Sequence, residues 1–522
     1  MTESEFSLGC VICSRKALKY TIYGIVIAFL VIGLVTIVVK FWPKHKPRPS
    51  PPDNYTLALL KALIFFNAQK SGELTKSNGV PWRGNSGLQD GSKLTDVKGG
   101  LVGGYYDAGD NTKFHFPMTM LSWSVIEYEH KYRAIGEYDH IKDLIKWGTD
   151  YLLRTFNSTA TKIDKIYSQV GGALNNSRTP YDHYCWQRPE DMNYERPVQT
   201  ATSGPDLAGE MLKLVKGAAT LFAFARDLGK RTSCCRGNPL TEPFYNSTNY
   251  FDEFMWGSAW LYYATCNKTY LLLATNPGLS KKSKANFMIP DLRVLSWDNK
   301  LPAAMLLLTR IRIFFSPGYP YEEMLSSYHN ITCVTMCSYL QRFHVFNFTK
   351  GGLLQLNHGR GQLQYVANAA FLASLFVDYL NATGVPGWNC WYFYGENPLK
   401  MSYIVGYGNK FPRHVHHRGA SIPTGKTKYS CTGGWKFRDT KNPNPHNIIG
   451  AMVGGPDKFD KFEDLRTNFS YTEPTLAGNA GLVAALVSLT GSGGYGFDKN
   501  IIFSAVPPEY PLSPPPPPPR RP

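Results

Sequence analysis

From Thr21 to Val39 the chain reads TIYGIVIAFLVIGLVTIVV, nineteen residues without a charge. At about 1.5 Å per helical residue, this run approaches the thickness of a bilayer's hydrocarbon core. It is long for a cleaved signal, and no Ala-x-Ala-like site follows it. The run predicts a transmembrane anchor at residues 21–39. Arg15, Lys16 and Lys19 precede it, and Lys40, Lys44, Lys46 and Arg48 follow, so flanking charge barely orients it. Asn-x-Ser/Thr sequons orient it better. They occur at Asn54, Asn157, Asn175, Asn246, Asn267, Asn330, Asn347, Asn381 and Asn468, all beyond the span. Residues 1–20 are therefore expected to be a cytosolic tail and the body lumenal or extracellular.

Residues 40–52 are basic and proline-rich, which predicts a stiff stalk. Residues 508–522 are mostly proline and predict polyproline II or disorder outside the folded body. The formal charge is +17, but its positive residues form no single block, so no nucleic-acid partner is expected. Of ten cysteines, Cys10 and Cys13 precede the span. The other eight are too few for a disulfide scaffold in so large a body, and leave room for a few bridges. Cys333 and Cys337 have helical spacing but no neighbouring histidine cluster, so no zinc is predicted.

Between residues 53 and 507 apolar residues recur with helical spacing. The pattern predicts helices at 55–71, 117–132, 138–156, 205–228, 251–265, 299–315, 321–330, 364–381 and 476–489. Strand-like alternation is scarce and no βα rhythm appears. An all-α domain assembled from successive helical pairs is the expected fold.

Candidate chemistry begins at Gly103–Phe114, GGYYDAGDNTKF. Asp107 and Asp110 stand three apart, separated by small residues, so both can face one solvent pocket. An Asp/Gly turn leading to a helix cap is the plain alternative. Farther on, His414, His416, His417 and Arg418 crowd together. Arg413 and Arg418 flank the histidines and disfavour a metal cation there. Glu473 precedes Pro474 at a predicted helix start, where favouring the helix dipole is the plain alternative. Three carboxyls with a His/Arg cluster supply what acid–base cleavage of an acetal needs: one protonated carboxyl for the leaving oxygen and one ionised to activate water. His183, Trp186 and Arg188 have the character of binding-loop residues, with a plain surface loop as the alternative. Trp82 and Arg83 either line a cleft or cover core.

These segments resemble glycoside hydrolase family 9, and within it the plant membrane-anchored endo-β-1,4-glucanases of the KORRIGAN type. Tyr106–Asp110 is similar to the family's paired-Asp motif, Val415–Arg418 to its histidine motif, and Asp464, Phe469, Glu473, Thr475, Asn479 and Ala480 to its C-terminal motif. The resemblance implies an (α/α)6 barrel with an open cleft and hydrolysis with inversion, without cofactor or metal. By it Asp110 is the general base, Asp107 helps hold the water, Glu473 is the general acid, and His416 and Arg418 bind substrate at the cleavage point. His183 and Trp186 match a sugar-contacting loop; Trp82, Trp256 and Trp297 are expected cleft aromatics. It implies internal cleavage of non-crystalline β-1,4-glucan during cellulose assembly, at the Golgi and plasma membrane, with the cellulose synthase machinery as a partner. The chain departs from the pattern between Trp388 and Asn397, where the family usually carries another helix, and again between Phe222 and Phe244. The barrel is thus expected to have one wall shortened or missing. A membrane-anchored glucan-binding or assembly factor with little hydrolytic activity is the alternative.

Overall fold

The computed structural model describes residues 53–115, 120–172, 181–211, 217–356, 362–383 and 398–491, together with 5–8, 11–14, 19–30 and 33. The stalk, the proline-rich tail, most of the second half of the apolar run, Asn175, Cys390 and the expected gap at 388–397 lie outside these residues.

The chain divides into Met1–Pro52 and Asp53–Pro522. The first unit holds an antiparallel hairpin, β1 (Glu5–Leu8) and β2 (Val11–Ser14), with Glu5 opposite Ser14. It also holds helix α1 (Lys19–Leu30), which covers the first half of the expected anchor. Ile22, Ile25 and Phe29 are exposed along α1.

The second unit is predominantly helical. Helix α2 (Asn54–Gln69) starts where the Asp53 carboxylate accepts the Thr56 amide at 2.6 Å. Leu59, Ala62, Leu63 and Phe66 recur at helical spacing and are buried. Helices α3 (Met120–Ala134), α4 (Tyr138–Arg154), α5 (Pro205–Met211) and α6 (Ala218–Arg226) follow. Then come α7 (Phe251–Thr265), α8 (Lys268–Ala274), α9 (Pro277–Lys282), α10 (Leu301–Phe315), α11 (Glu322–Tyr339) and α12 (Gln362–Ala382). Short α13 (Arg418–Ser421), α14 (Trp435–Arg438) and α15 (Phe469–Thr472) precede α16 (Leu476–Leu489).

Helix α16 organises the core. It packs on α12, α3 and α2, which brings the first and last described helices of this unit together. Thr475 caps it, its hydroxyl accepting the Gly478 amide at 3.1 Å. Its sequence is apolar on every face apart from Asn479 and Ser488, both hydrogen-bonded, as a helix buried on every side requires. A Cβ on Gly481 would collide with the Asn368 carboxamide, so glycine permits the close crossing of α16 and α12. Helix α12 is itself long and apolar enough to cross a membrane, yet 67% of its most apolar stretch is buried inside this body, and that burial accounts for its composition.

Some strand structure escaped the periodicity. Residues β3 (Lys113–Phe114), β4 (Ile166–Val170) and β5 (Val198–Ala201) form an antiparallel three-stranded sheet in the order β3-β4-β5. β6 (Asn347–Phe348) and β7 (Leu354–Gln355) make a small hairpin. The expected helix at 321–330 runs on to Tyr339. The expected helix at 205–228 holds α5 and α6, with residues 212–216 outside the described set.

Of the described sequons, Asn54, Asn157, Asn246, Asn267, Asn330, Asn347 and Asn381 are exposed, and Asn468 is half-buried.

Candidate active site

The loop after Gly103 is held by segments far away in sequence. Gln69 Nε2 donates to the Tyr106 and Ala108 carbonyls at 3.1 and 2.7 Å. The Arg418 amide donates to the Gly109 carbonyl at 2.9 Å, and the Leu476 amide to the Asp107 carbonyl at 2.8 Å. A Cβ on Gly109 would run into the His416 carbonyl and the Glu473 carboxyl. The glycine between the two aspartates is thus a condition of their meeting Glu473.

Asp107, Asp110, His183, Trp186, Trp297, His416, Arg418 and Glu473 all line one cavity of about 430 Å³. Each acid has a different setting. Tyr245 donates its phenolic proton to Asp107 Oδ2 at 2.5 Å, while Oδ1 has no partner within the protein. Burial, outweighing that bond, together with the charges of Asp110 and Glu473, pushes the Asp107 carboxyl up to about 8. Asp110 Oδ2 pairs with His183 Nδ1 at 2.6 Å, and its Oδ1 accepts the Thr112 amide at 2.9 Å. Burial alone would raise Asp110. The His183 bond and charge, with Arg418 and the Thr112 amide, overcome it and hold Asp110 well below the usual carboxylate range. Glu473 Oε1 accepts the Gly109 amide at 3.0 Å. Burial and the Asp110 charge push its carboxyl up to about 7, against His183, Arg418 and the Gly109 amide.

The loops carrying His183–Trp186 and His416–Arg418 are locked together. Arg418 Nε and Nη2 donate to the Cys185 and His183 carbonyls at 2.8 and 2.9 Å. The Trp186 indole donates to Ser421 Oγ at 2.8 Å and lies under the Arg418 guanidinium. A disulfide joins Cys185 to Cys431. Arg418 Nη1 makes no hydrogen bond within the protein.

The histidine cluster does not act as a unit. His416 Nδ1 donates to the Arg466 carbonyl at 2.6 Å, leaving Nε2 for the cavity. Burial and the Arg418 charge lower it to about 3, so it stays neutral. His417 turns the other way: its Nδ1 accepts the Ala420 amide at 3.0 Å and its Nε2 donates to Gln69 Oε1 at 2.8 Å. His414 pairs with Asp464 at 3.1 Å. Among the described residues no group of three His, Cys, Asp or Glu side chains is placed to share a metal.

Two expected cleft aromatics are elsewhere. Trp256 is 1% exposed and packs edge-on against Trp123 and Trp260 in the core, because its face of α7 points inward. Trp82 does not line the cavity; it stacks on His446 with rings 5.6 Å apart and stands beside Gly419. Tyr245 and Phe244 line the cavity and were not foreseen. They sit in an irregular segment before α7, where no periodicity marks them.

The chain matches Glycosyl hydrolase family 9 over residues 55–212 and 212–486. It belongs to that family. It is 59% identical to Endoglucanase 12 of Oryza sativa subsp. japonica, over 97% of this chain and 89% of that protein. It is 58% identical to Endoglucanase 7 of Arabidopsis thaliana, over 97% of this chain and 88% of that protein. Among solved structures it is similar to the endoglucanase of the termite Nasutitermes takasagoensis, with a TM-score of 0.68 and 29% identity over 84% of this chain and 98% of that one. The span aligned with Endoglucanase 12 is 552 positions, longer than the 522 residues of this chain, so that relative carries segments missing here.

Proposed function

We propose that this family 9 glycoside hydrolase cleaves internal β-1,4 bonds of non-crystalline glucan with inversion. The observation that carries the reading is the opposite setting of two carboxyls on one cavity: Asp110 is held well below the usual carboxylate range and stays ionised, while Glu473 is pushed up to about 7 and retains a proton to higher pH than an ordinary carboxyl. Environments that push two carboxyls apart mark the base and the acid.

Asp110 takes a proton from water as that water attacks the anomeric carbon. Asp107, with a free Oδ1 beside it, orients the same water. Glu473 donates its proton to the glycosidic oxygen as the bond breaks. Gly109 occupies Oε1, which leaves Oε2 to carry that proton. His416 and Arg418 hold sugar hydroxyls, and the Trp186 ring keeps both in place. Trp297 offers a flat face to a neighbouring ring. No step needs a metal or cofactor.

The wider assignments belong to the same reading. Residues 53–507 form one catalytic domain, an (α/α)6 barrel with a wall shortened near 222–244 and 388–400. Residues 21–39 anchor it by one span, with 1–20 cytosolic, a stalk at 40–52 and a proline-rich tail at 508–522. The body is lumenal or extracellular, at the Golgi and plasma membrane, near the cellulose synthase machinery; the exposed sequons support that side. The test is reducing-end release from amorphous cellulose by the chain made in a glycosylating secretory host, with Glu473→Gln as control. Release well above the control is expected. A monodisperse protein that binds glucan and releases no more ends than the control would replace this reading with that of a glucan-binding factor, which the missing segments would favour.

A further inference from the structure

The loop after α6 carries Phe244 and Tyr245 to the cavity. Midway along it Cys234 and Cys235 bring their sulfurs within 2.6 Å of each other. Adjacent side chains on an extended strand point to opposite faces. Here the backbone turns through residues 234–237 and turns both thiols the same way. Cys235 is buried and Cys234 partly exposed.

The pair is held from both sides. Ser233 Oγ donates to Asp206 Oδ2 at 2.7 Å, and the Cys234 amide to Asp206 Oδ1 at 3.1 Å. A Cβ on Gly204 would come within 2.9 Å of Cys234 Cβ. Downstream, Asn238 Nδ2 donates to Gln199 Oε1 at 3.1 Å and Thr241 Oγ1 to Gln169 Oε1 at 2.5 Å. Four residues later Tyr245 reaches Asp107.

We propose that Cys234 and Cys235 close into a vicinal disulfide, a redox-sensitive latch on the loop that seats Tyr245 against Asp107. A bond needs the sulfurs at about 2.05 Å, a further approach of roughly half an ångström. The Cys185–Cys431 bridge belongs to an oxidising compartment, where such a pair meets disulfide oxidants. In the reaction the Cys234 thiolate attacks a disulfide of the glutathione or protein-disulfide class, expels one thiolate and forms a mixed disulfide. The Cys235 thiolate then attacks the Cys234 sulfur and expels the second. The two cysteine protons end on the two expelled thiolates, and the oxidant gains the electron pair. Adjacent Cα atoms lie about 3.8 Å apart across a trans peptide, below the usual range for bridged cysteines. Such a bond is strained and readily reduced, so it is suited to switching where the Cys185–Cys431 bridge is suited to holding.

The effect on catalysis rests on the role proposed for Asp107; the bond itself does not. The full chain in detergent is equilibrated with oxidised or reduced glutathione, quenched in acid, then unfolded and alkylated without reductant. Trypsin cuts after Arg231 and Arg236 and releases Thr232 to Arg236. Under oxidised glutathione this fragment should carry no label and be lighter by two hydrogens; under reduced glutathione it should carry two labels. Reduction should lower glucan cleavage by at least about threefold, and Cys234→Ser should abolish that response. Two labels under oxidised glutathione would overturn the bond. A fragment that switches while wild type and Cys234→Ser respond alike would overturn the latch. A chain inactive in both states would count against the hydrolase reading, with the fragment still deciding the bond.

Discussion

Gly109 and Glu473 are 364 residues apart in sequence, and the amide of one donates to the carboxyl of the other at 3.0 Å. The contact fixes which oxygen of Glu473 carries the proton. It also requires the absence of a side chain at residue 109. Gly109→Ala should therefore displace both the His416 backbone and the Glu473 carboxyl. The expected outcome is a fall in kcat of about 100-fold, because acid and base must be held to sub-ångström tolerance. Steady-state kinetics on soluble glucan measures it; a kcat within twofold of wild type would sink the proposed placement of the acid.

Loss of the acid and loss of the base should differ in substrate dependence. Glu473→Gln and Asp110→Asn should each lower cleavage of unactivated glucan by about 10²–10⁴-fold. Glu473→Gln should retain much of its activity toward aryl glycosides whose phenol leaves unaided; Asp110→Asn should not. In wild type the first product seen by proton NMR should be the α-anomer. A β-anomer appearing first would mean retention.

His183 should set the acidic limb of activity. Its hydrogen bond and charge help hold Asp110 below the usual range. His183→Asn should let Asp110 rise, so the acidic limb of kcat/KM moves to higher pH. It should also raise Glu473, since His183 opposes that upward shift, and carry the alkaline limb upward too. A pH–rate profile that only drops in height would show that His183 merely binds sugar.

Stability should fall as pH rises from about 4 to about 8. Glu473 is raised to about 7 in the folded state. The contribution is complete below the unfolded value, about 4.3, and is lost as pH rises through 7. It amounts to about 4 kcal/mol once both states are ionised. Asp107, raised to about 8, acts in the same sense. Asp110 is depressed and acts oppositely, its contribution disappearing only as pH falls below the ordinary carboxylate range. Glu473→Gln should thus melt above wild type at pH 9 and gain little at pH 5. Thermal unfolding across that range checks the sign.

The two tryptophans separate by assay. Trp297 lines the cavity against Tyr245, so Trp297→Ala should raise KM several-fold with a small change in Tm. Trp256 lies in the core, so Trp256→Ala should cost about 3–5 kcal/mol of stability. A reversed pattern in KM and Tm would contradict the positions of both rings.

What could be read from the residues was local or carried by a motif. Capping and periodicity gave α2, α7, α10 and α16 nearly to their ends. The paired aspartates, His416, Arg418 and Glu473 stood out because their spacing resembled a known pattern. Helix α11 ran past Asn330 because its later part, rich in Thr, Cys and Val, has poor intrinsic propensity and is stabilised by packing on α10. Trp256 was misassigned because helical spacing alone does not say whether an aromatic face meets a core or a cleft. Tyr245 carried no signal at all: its role comes from a contact with Asp107, 138 residues away, which only the closed fold supplies.

Because α16 is the last described helix and the one on which α2 and α3 rest, ribosomal order matters to this protein. The helices made earlier wait for α16. Helix α12, apolar enough to partition into lipid, waits with them. A nascent chain of this kind needs holding until it is complete and cannot fold strictly in step with its synthesis. A stop codon before Leu476 removes the core's central support, and one before Glu473 removes the proposed acid as well. A truncated transcript would therefore yield a substrate for quality control rather than a weakened enzyme.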